Sequence, residues 1–518
     1  MILLQKFFVP SSRSIKCYST LVKKAASSSA FDFENCASEK SRKTAKPYDT
    51  IPGPSTWSMI KSFSKKEPEQ FSEIFTRFQK VYGDIFRIKG ILSKRDTIVL
   101  SDPNDFEIVF RTTDAYPIRR GLDALLYYRQ NYSKDIYNKW VGLVNEQGES
   151  WWDLRHKLNG VMMKPEVGKG YTSAVDEVSM TFVKILHNLR DSNQESPKNF
   201  LYYLNVWSLE SIAYIMMNFR LGFLSEKPDP MAEKLAQDVK IFFQLSAELE
   251  FKPSIWKIFK TPKFHQFIKT LDDIHVTVKK MVDQGLENLK RNVERCDKNS
   301  DEKGVLQKLY EIDKNVAILM TVDALIAGVD TTSTAVFSVL YTLATNPDKQ
   351  KILRSELLKI LPEKDSPLTK ANMTNLPYLR ACIKEAMRLM PVVLGNGRVT
   401  GRDIVIKGYQ IPKDTDVIMH NQALHTDERN FPNPQTFIPE RWLRSEENIR
   451  TCNPFAYLPF GFGNRACIGR RFAELEIETL VCRIVRNYQL EWHHPPPKVQ
   501  FANVNIPKGH LKMKFKEL

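Results

Sequence analysis

One cysteine stands among glycines in Phe460-x-x-Gly463-x-Arg465-x-Cys467-x-Gly469, and the chain then runs directly into charged and apolar residues at helical spacing. The glycines permit positive φ and let a flat ligand lie against the backbone, while Arg465 offers its charge to an anion. A cysteine just ahead of a helix faces free N–H groups and the positive end of the dipole, which favour a thiolate over a thiol. A single thiolate on a tight loop is chemistry that suits haem iron; a cysteine that only packs is the alternative.

A second candidate is Ala327-Gly328-Val329-Asp330-Thr331-Thr332, inside a nearly continuous apolar run from Asn315 to Thr345. The run is long enough to cross a bilayer, but Asp323 and Asp330 would each cost ~2.5 kcal/mol or more at bilayer depth, so it reads as a long core helix. A glycine in mid-helix costs ~1 kcal/mol relative to alanine. Gly328 therefore points to a close approach to its backbone, by a ligand or by another helix. Glu385 and Arg388, three apart, share a helix face, as do Arg380 and Lys384, four apart; taken singly, such pairs also describe a solvated surface.

The elements that must position these residues are mostly helical. Helical periodicity dominates from about residue 104 to 390. "GDIFRIKG" and "TIVLSDP" read as strands, and "DIVIKGYQIPKDTDVIMH" after Arg398 reads as strand, turn and strand. The fold class expected is mainly α with a smaller β part. The 518 residues show no internal repeat and no long Gly/Ser linker after about residue 50, so residues 51–518 are expected to form one domain, starting at the rigid "IPGPSTW".

Composition, 42% hydrophobic and 26% charged, is that of a globular protein. A net charge of +16 invites a nucleic-acid partner, but the basic residues are dispersed and match no nucleic-acid-binding module. An acidic protein or an anionic membrane remains. Seven cysteines without a C-x-x-C pair indicate neither a zinc site nor a disulfide framework.

Residues 1–31 carry Lys6, Arg13, Lys16, Lys23 and Lys24, many serines and no acid, and their apolar stretches are too short to span a bilayer. This composition resembles a mitochondrial presequence, with a disordered basic tail as the alternative; residues 1–50 are assigned to presequence and linker. Lys16-Cys17-Tyr18-Ser19 is similar to a cleavage context, with Lys in place of Arg. "SIWKIFKTPKFHQFIK" (Ser254 to Lys269) mixes aromatics with lysines, as a segment lying on anionic lipid would; aromatics facing the core would give the same pattern.

Taken together, these motifs resemble the cytochrome P-450 family over roughly residues 50 to 515. The cysteine loop is its signature, and Glu385-Ala386-Met387-Arg388 followed by Phe437-Ile438-Pro439-Glu440-Arg441-Trp442 matches its E-x-x-R and P-E-R segments in order. The resemblance implies haem b, bound through Cys467 and buried between the long central helix and the cysteine-loop helix, with Phe460, Gly463, Arg465 and Gly469 around it. It implies propionate contacts from Trp151, Arg155 and Arg398, and a buried triad of Glu385, Arg388 and Arg441. Asp330 and Thr331 would deliver protons while the thiolate pushes electron density toward O–O cleavage. Arg380 and Lys384, with Arg470 and Arg471, match the basic surface by which mitochondrial members dock an adrenodoxin-like [2Fe–2S] ferredoxin, reduced by NADPH through ferredoxin reductase.

The stretch "AYPIRRGLDALLYYR" (Ala115 to Arg129) is most similar to insect mitochondrial members. The implied activity is insertion of one atom of O2 into a lipophilic substrate, sterol- or ecdysteroid-like or foreign, with Val392, Val393 and Leu394 lining the pocket. The implied place is the matrix side of the inner mitochondrial membrane, peripherally attached, with no nucleic acid involved. Three rival readings remain: a haem-thiolate isomerase or dehydratase acting on peroxides without a redox partner, a haem-binding sensor or carrier without turnover, and a haem-free protein that uses the fold as a scaffold and leaves Cys467 idle.

Overall fold

The computed structural model describes residues 43–63, 71–90, 94–113, 115–225, 230–251, 255–294, 303–443 and 453–518. Residues 1–42, which hold most of the expected leader, lie outside them. Nine of its helices frame the site: α1 (Asp123–Asn131), α2 (Gly148–Met162), α3 (Thr172–Leu189), α4 (Phe200–Met217), α5 (Pro230–Phe251), α6 (Pro262–Glu294), α7 (Lys314–Ala344), α8 (Pro377–Leu389) and α9 (Arg470–Asn487).

The long apolar run is α7. Asp313 starts it, its carboxylate accepting the Asn315 N–H at 2.7 Å. Apolar residues occur on all its sides, the pattern of a helix buried all round. Its two carboxylates are answered from other helices: Arg129 of α1 pairs with Asp323, and the Asn205 amide of α4 reaches Asp330 at 2.8 Å. A run long enough for a bilayer is thus the core of a helical body, packed by α4, α6, α8 and α9.

Helix α9 is tied down by a buried bidentate pair. Arg483 holds Asp176 of α3 at 2.6 Å through both Nε and Nη2, and the Leu368 N–H adds a third donor to that carboxylate. The helix that follows the cysteine loop is therefore fixed at its far end.

The larger sheet has the order β1-β2-β6-β3, from Ile85–Ile88, Thr97–Leu100, Asp416–Met419 and Asn396–Val399. β2 and β6 run parallel, with Thr97 opposite Asp416, so this sheet closes the chain across the whole helical body. The strand-turn-strand expected after Arg398 proves to be three strands. β4 (Ile404–Ile406) and β5 (Tyr409–Ile411) form a hairpin, whereas β6 leaves it to join β2, and Arg398 itself lies in β3. Two further antiparallel pairs near the C-terminus, β7 (Tyr488–Glu491) with β10 (Lys514–Glu517) and β8 (Lys498–Ala502) with β9 (Val504–Lys508), are too short to have shown a clear alternation in the sequence. Among the described residues, Lys46 already bonds through its backbone to Gly408 and Gln410, ahead of the rigid start expected at Ile51.

Candidate active site

Two glycines of the cysteine loop need their freedom. Gly461 and Gly463 adopt φ of +73° and +69°, and the turn they make lets the Cys467 N–H bond to the Phe460 carbonyl at 2.8 Å. Gly469 does not: its φ is −82°, and it serves as the N-cap of α9, its N–H directed at the Cys467 sulfur. The Cys467 side chain keeps open surface while protein surrounds it on its other sides. Burial pushes the thiol up, and the Gly469 N–H with Arg155, Arg119 and Arg470 pulls the other way.

Four guanidinium groups converge on this loop. Arg155, on α2, donates its Nε to Asn159 Oδ1 at 2.8 Å and has no other hydrogen-bond partner among the described residues. Arg398, on β3, donates to the Gly397 and Phe462 carbonyls at 2.8 and 2.9 Å and lies over the Phe110 ring. Arg465, expected to serve an anion, is mostly engaged in holding the chain: it donates to the carbonyls of Pro117, Leu143 and Glu146 and to Gln147 Oε1, and stacks 3.9 Å over the buried Trp151. The fourth, Arg119, is absent from the sequence reading. Its backbone is clamped on both sides by the Gln147 amide, and its guanidinium has no hydrogen-bond partner among the described residues. Nothing in its spacing marks it; only the fold of the Ala115–Arg129 stretch brings it to Cys467.

Burial and mutual repulsion push these arginines down, to about 10 for Arg155, about 9 for Arg398 and about 8 for Arg465. A guanidinium does not give up its proton in a protein, so the depression measures how strongly the cluster favours an anion. A cysteine sulfur on a glycine turn, under a group of cations short of carboxylates, fits a metal in a flat macrocycle that carries two negative arms. Haem has that form.

On the mostly buried α7, Ala327 and Thr331, four apart, keep open surface, and the Thr331 hydroxyl is bonded to the Ala327 carbonyl at 2.6 Å. Asp330 is turned roughly a quarter of the way round, toward α4. Burial pushes its carboxyl up to about 6, and its Oδ2 has no partner among the described residues. No hydrogen bond joins Asp330 to Thr331, so the two stand on adjoining faces. What approaches Gly328 is a helix: a Cβ there would lie 3.3 Å from Ile212 of α4, and the Ser208 hydroxyl bonds to its carbonyl. Glu476 of α9 is a further buried acid that the motifs did not mark. It meets Thr332 at 3.5 Å, and burial pushes it well above the usual range.

Glu385 and Arg388 of α8 are both fully buried. Arg388 chelates Glu385 at 2.8 and 2.9 Å, and Arg441 reaches the same carboxylate at 3.0 Å. The Trp442 indole and the Ile438 N–H complete the set, two donors that the sequence reading left out.

Arg380, Lys384, Arg470 and Arg471 line one groove of about 590 Å³, together with Glu474, Glu478, Phe460 and Met387. They are not equivalent. Arg380 is held bidentately by Glu478 and donates to the carbonyls of Met373 and Thr374, so it braces the groove. Arg470 and Arg471 share Glu474, and Lys384 lies 5.9 Å from the Trp442 ring.

The family model described as cytochrome P450 matches residues 51–515. Among curated proteins, the chain is 39% identical to cytochrome P450 12b1, mitochondrial, of Drosophila acanthoptera, over 90% of this chain and 89% of that one. It is also 39% identical to cytochrome P450 CYP12A2 of Musca domestica and to probable cytochrome P450 12a5, mitochondrial, of Drosophila melanogaster, each over 92% of both chains.

Proposed function

Because this chain belongs to the cytochrome P450 family, and so is a haem-thiolate monooxygenase, we propose that it is a ferredoxin-dependent mitochondrial member acting on a lipophilic substrate. Cys467 would hold haem through its thiolate, and haem so bound would supply the oxygen-activating chemistry. The rest falls to this chain's residues. Trp151, Arg155, Arg398 and Arg119 hold the two propionates, and Phe460, Gly463 and Gly469 shape the loop beneath the ring. Asp330 and Thr331, on adjoining faces of α7, are the proton-delivering pair. One oxygen atom enters the substrate, and the other leaves as water.

The observation that carries the reading is Cys467 amid arginines that have no carboxylate partner among the described residues, together with a buried Asp330 on α7 whose Oδ2 has no partner among them and whose carboxyl burial pushes up to about 6. A peroxide isomerase has no need of that acid. In a reconstituted system of NADPH, ferredoxin reductase and ferredoxin, oxidation of NADPH should match formation of a hydroxylated product. Turnover of a hydroperoxide without ferredoxin would replace this reading by the isomerase one, and no turnover of any kind by the sensor.

Electrons enter, in this proposal, at the basic groove. Since Arg380 also braces the fold, the discriminating variant is Lys384→Glu. It should weaken ferredoxin binding about tenfold or more at low salt, less at high salt, with the haem spectrum unchanged. Equal affinities for variant and parent at low salt would remove this docking site.

The names of the relatives support a mitochondrial address. For the membrane, the structure alters the expected surface. Trp256, Phe264 and Phe267 are in the core, and the Lys260 ammonium sits 3.8 Å over Tyr127. Ile255, Ile258 and Phe259 are the exposed members, at 49%, 61% and 70%, beside Lys257, Lys260 and Lys263. This tip is our proposed peripheral contact with the matrix face of the inner membrane. Sedimentation with anionic vesicles should fall several-fold in the double variant Ile258→Asp/Phe259→Asp; a parent protein that never sediments ends the idea. Val392 and Leu394, both buried, and Val393 remain the proposed pocket wall for a sterol-like or foreign lipophilic substrate.

A further inference from the structure

Helix α4 lays Asn205, Ser208 and Ile212 along α7 at the level of Gly328 and Asp330. With no side chain at Gly328, the two helices come close enough for a residue as short as asparagine to bridge them. The Asn205 Nδ2 donates to Asp330 Oδ1 at 2.8 Å. Its own Oδ1 accepts from the Ser333 hydroxyl one turn further along α7, and Ser333 is fully buried. The amide is thereby oriented: oxygen to Ser333, N–H to the acid.

We propose that Asn205, oriented by Ser333, is the positioning residue for the Asp330 proton. A proton on Oδ1 would meet the amide N–H head-on, so the neutral acid carries it on Oδ2, the oxygen without a partner among the described residues. The Oδ2–H bond is the one that breaks in delivery; the carboxylate left behind keeps the Asn205 hydrogen bond and is reprotonated at Oδ2 from solvent. No oxidant or reductant is consumed in this exchange. The charged group that faces the pair from a neighbouring helix is Lys240 of α5, while Glu476 approaches Thr332 from α9. The proposal rests on the assignment of Asp330 as proton donor made above.

The test compares Asn205→Leu, Ser333→Ala and Asp330→Asn in the reconstituted holoenzyme. The carbon-monoxide difference spectrum certifies each as folded and haem-loaded; product per NADPH and the pH profile of kcat are the readouts. Asn205→Leu should lower product per NADPH about tenfold or more, as loss of orientation does. It should also move upward in pH the limb that Asp330→Asn abolishes. The sign follows from the hydrogen bond, which stabilises the ionised form and holds the acid down; without it the acid rises. Ser333→Ala should act in the same direction and less, and Asn205→Gln should recover part of the coupling. If Asp330→Asn is impaired while Asn205→Leu keeps both coupling and the limb, the positioning role is overturned alone. If Asp330→Asn is itself unimpaired, the proton-donor assignment falls, and this proposal with it.

Discussion

Replacing Cys467 with alanine should erase the red-shifted Soret band of the reduced carbon-monoxide complex and leave a folded chain. The band reports thiolate ligation, and the other cysteines among the described residues, Cys382 and Cys482, are buried within helices α8 and α9. The chain should still fold, because the substitution removes a sulfur and no backbone contact. The loop is held by backbone contacts that alanine preserves, the Cys467 N–H to Phe460 and the Ala466 N–H to Gly463. The informative outcome is therefore a normal unfolding transition without thiolate haem. A variant that retained the red-shifted band would overturn Cys467 as the iron ligand, and with it the oxygen chemistry assigned to this site.

Glu385→Gln should destroy the protein as a folded species. Glu385 accepts five hydrogen bonds: two from Arg388, and one each from Arg441, Trp442 and the Ile438 backbone. An amide offers one oxygen for those donors and turns its NH2 against the rest. The Arg388 charge would then stay buried, tethered to the carbonyls of His425, Pro434 and Thr436 but without its counter-ion. Removing one member of a buried pair costs about 3–5 kcal/mol, much of the ~5–15 kcal/mol that stabilises a folded chain. Soluble holoprotein should be nearly absent, and any that is recovered should unfold at far lower urea. A loss below about 1 kcal/mol would show that the cluster is dispensable.

The motifs that were legible are local. Cys467 with its glycines, the Glu385–Arg388 spacing and the apolar run of α7 each express a constraint that acts within a few residues: a turn that needs positive φ, a helix face, a helix buried all round. The family match to residues 51–515 and the mainly helical fold agree with that reading. Contacts between distant segments were not legible. Arg119 reaches the cysteine loop because Gln147 grips its backbone, and Trp442 joins the Glu385 cluster from 57 residues away.

Two segments show the limit most clearly. In residues 254–269 a mixture of aromatics and lysines has the same composition whether the rings face lipid or core; packing against Tyr127 buries Trp256 and Phe264 and leaves Phe259 outside. At Arg380 a basic pair on a helix face cannot announce that Glu478, 98 residues on, already holds it.

The amino-acid sequence by itself determined which cysteine stands on a glycine turn ahead of a helix, the residue proposed to ligate iron, which pair sits on one helix turn and which helix must be buried, because bond geometry and hydrophobic periodicity act along the chain. Only the tertiary structure decided where each charge finds its counter-charge, which carboxyl oxygen is left unpaired and which helix fills the space at Gly328. Those outcomes depend on segments hundreds of residues apart being brought within a few ångströms, and burial and electrostatic interactions take their strength from that proximity, not from order along the chain.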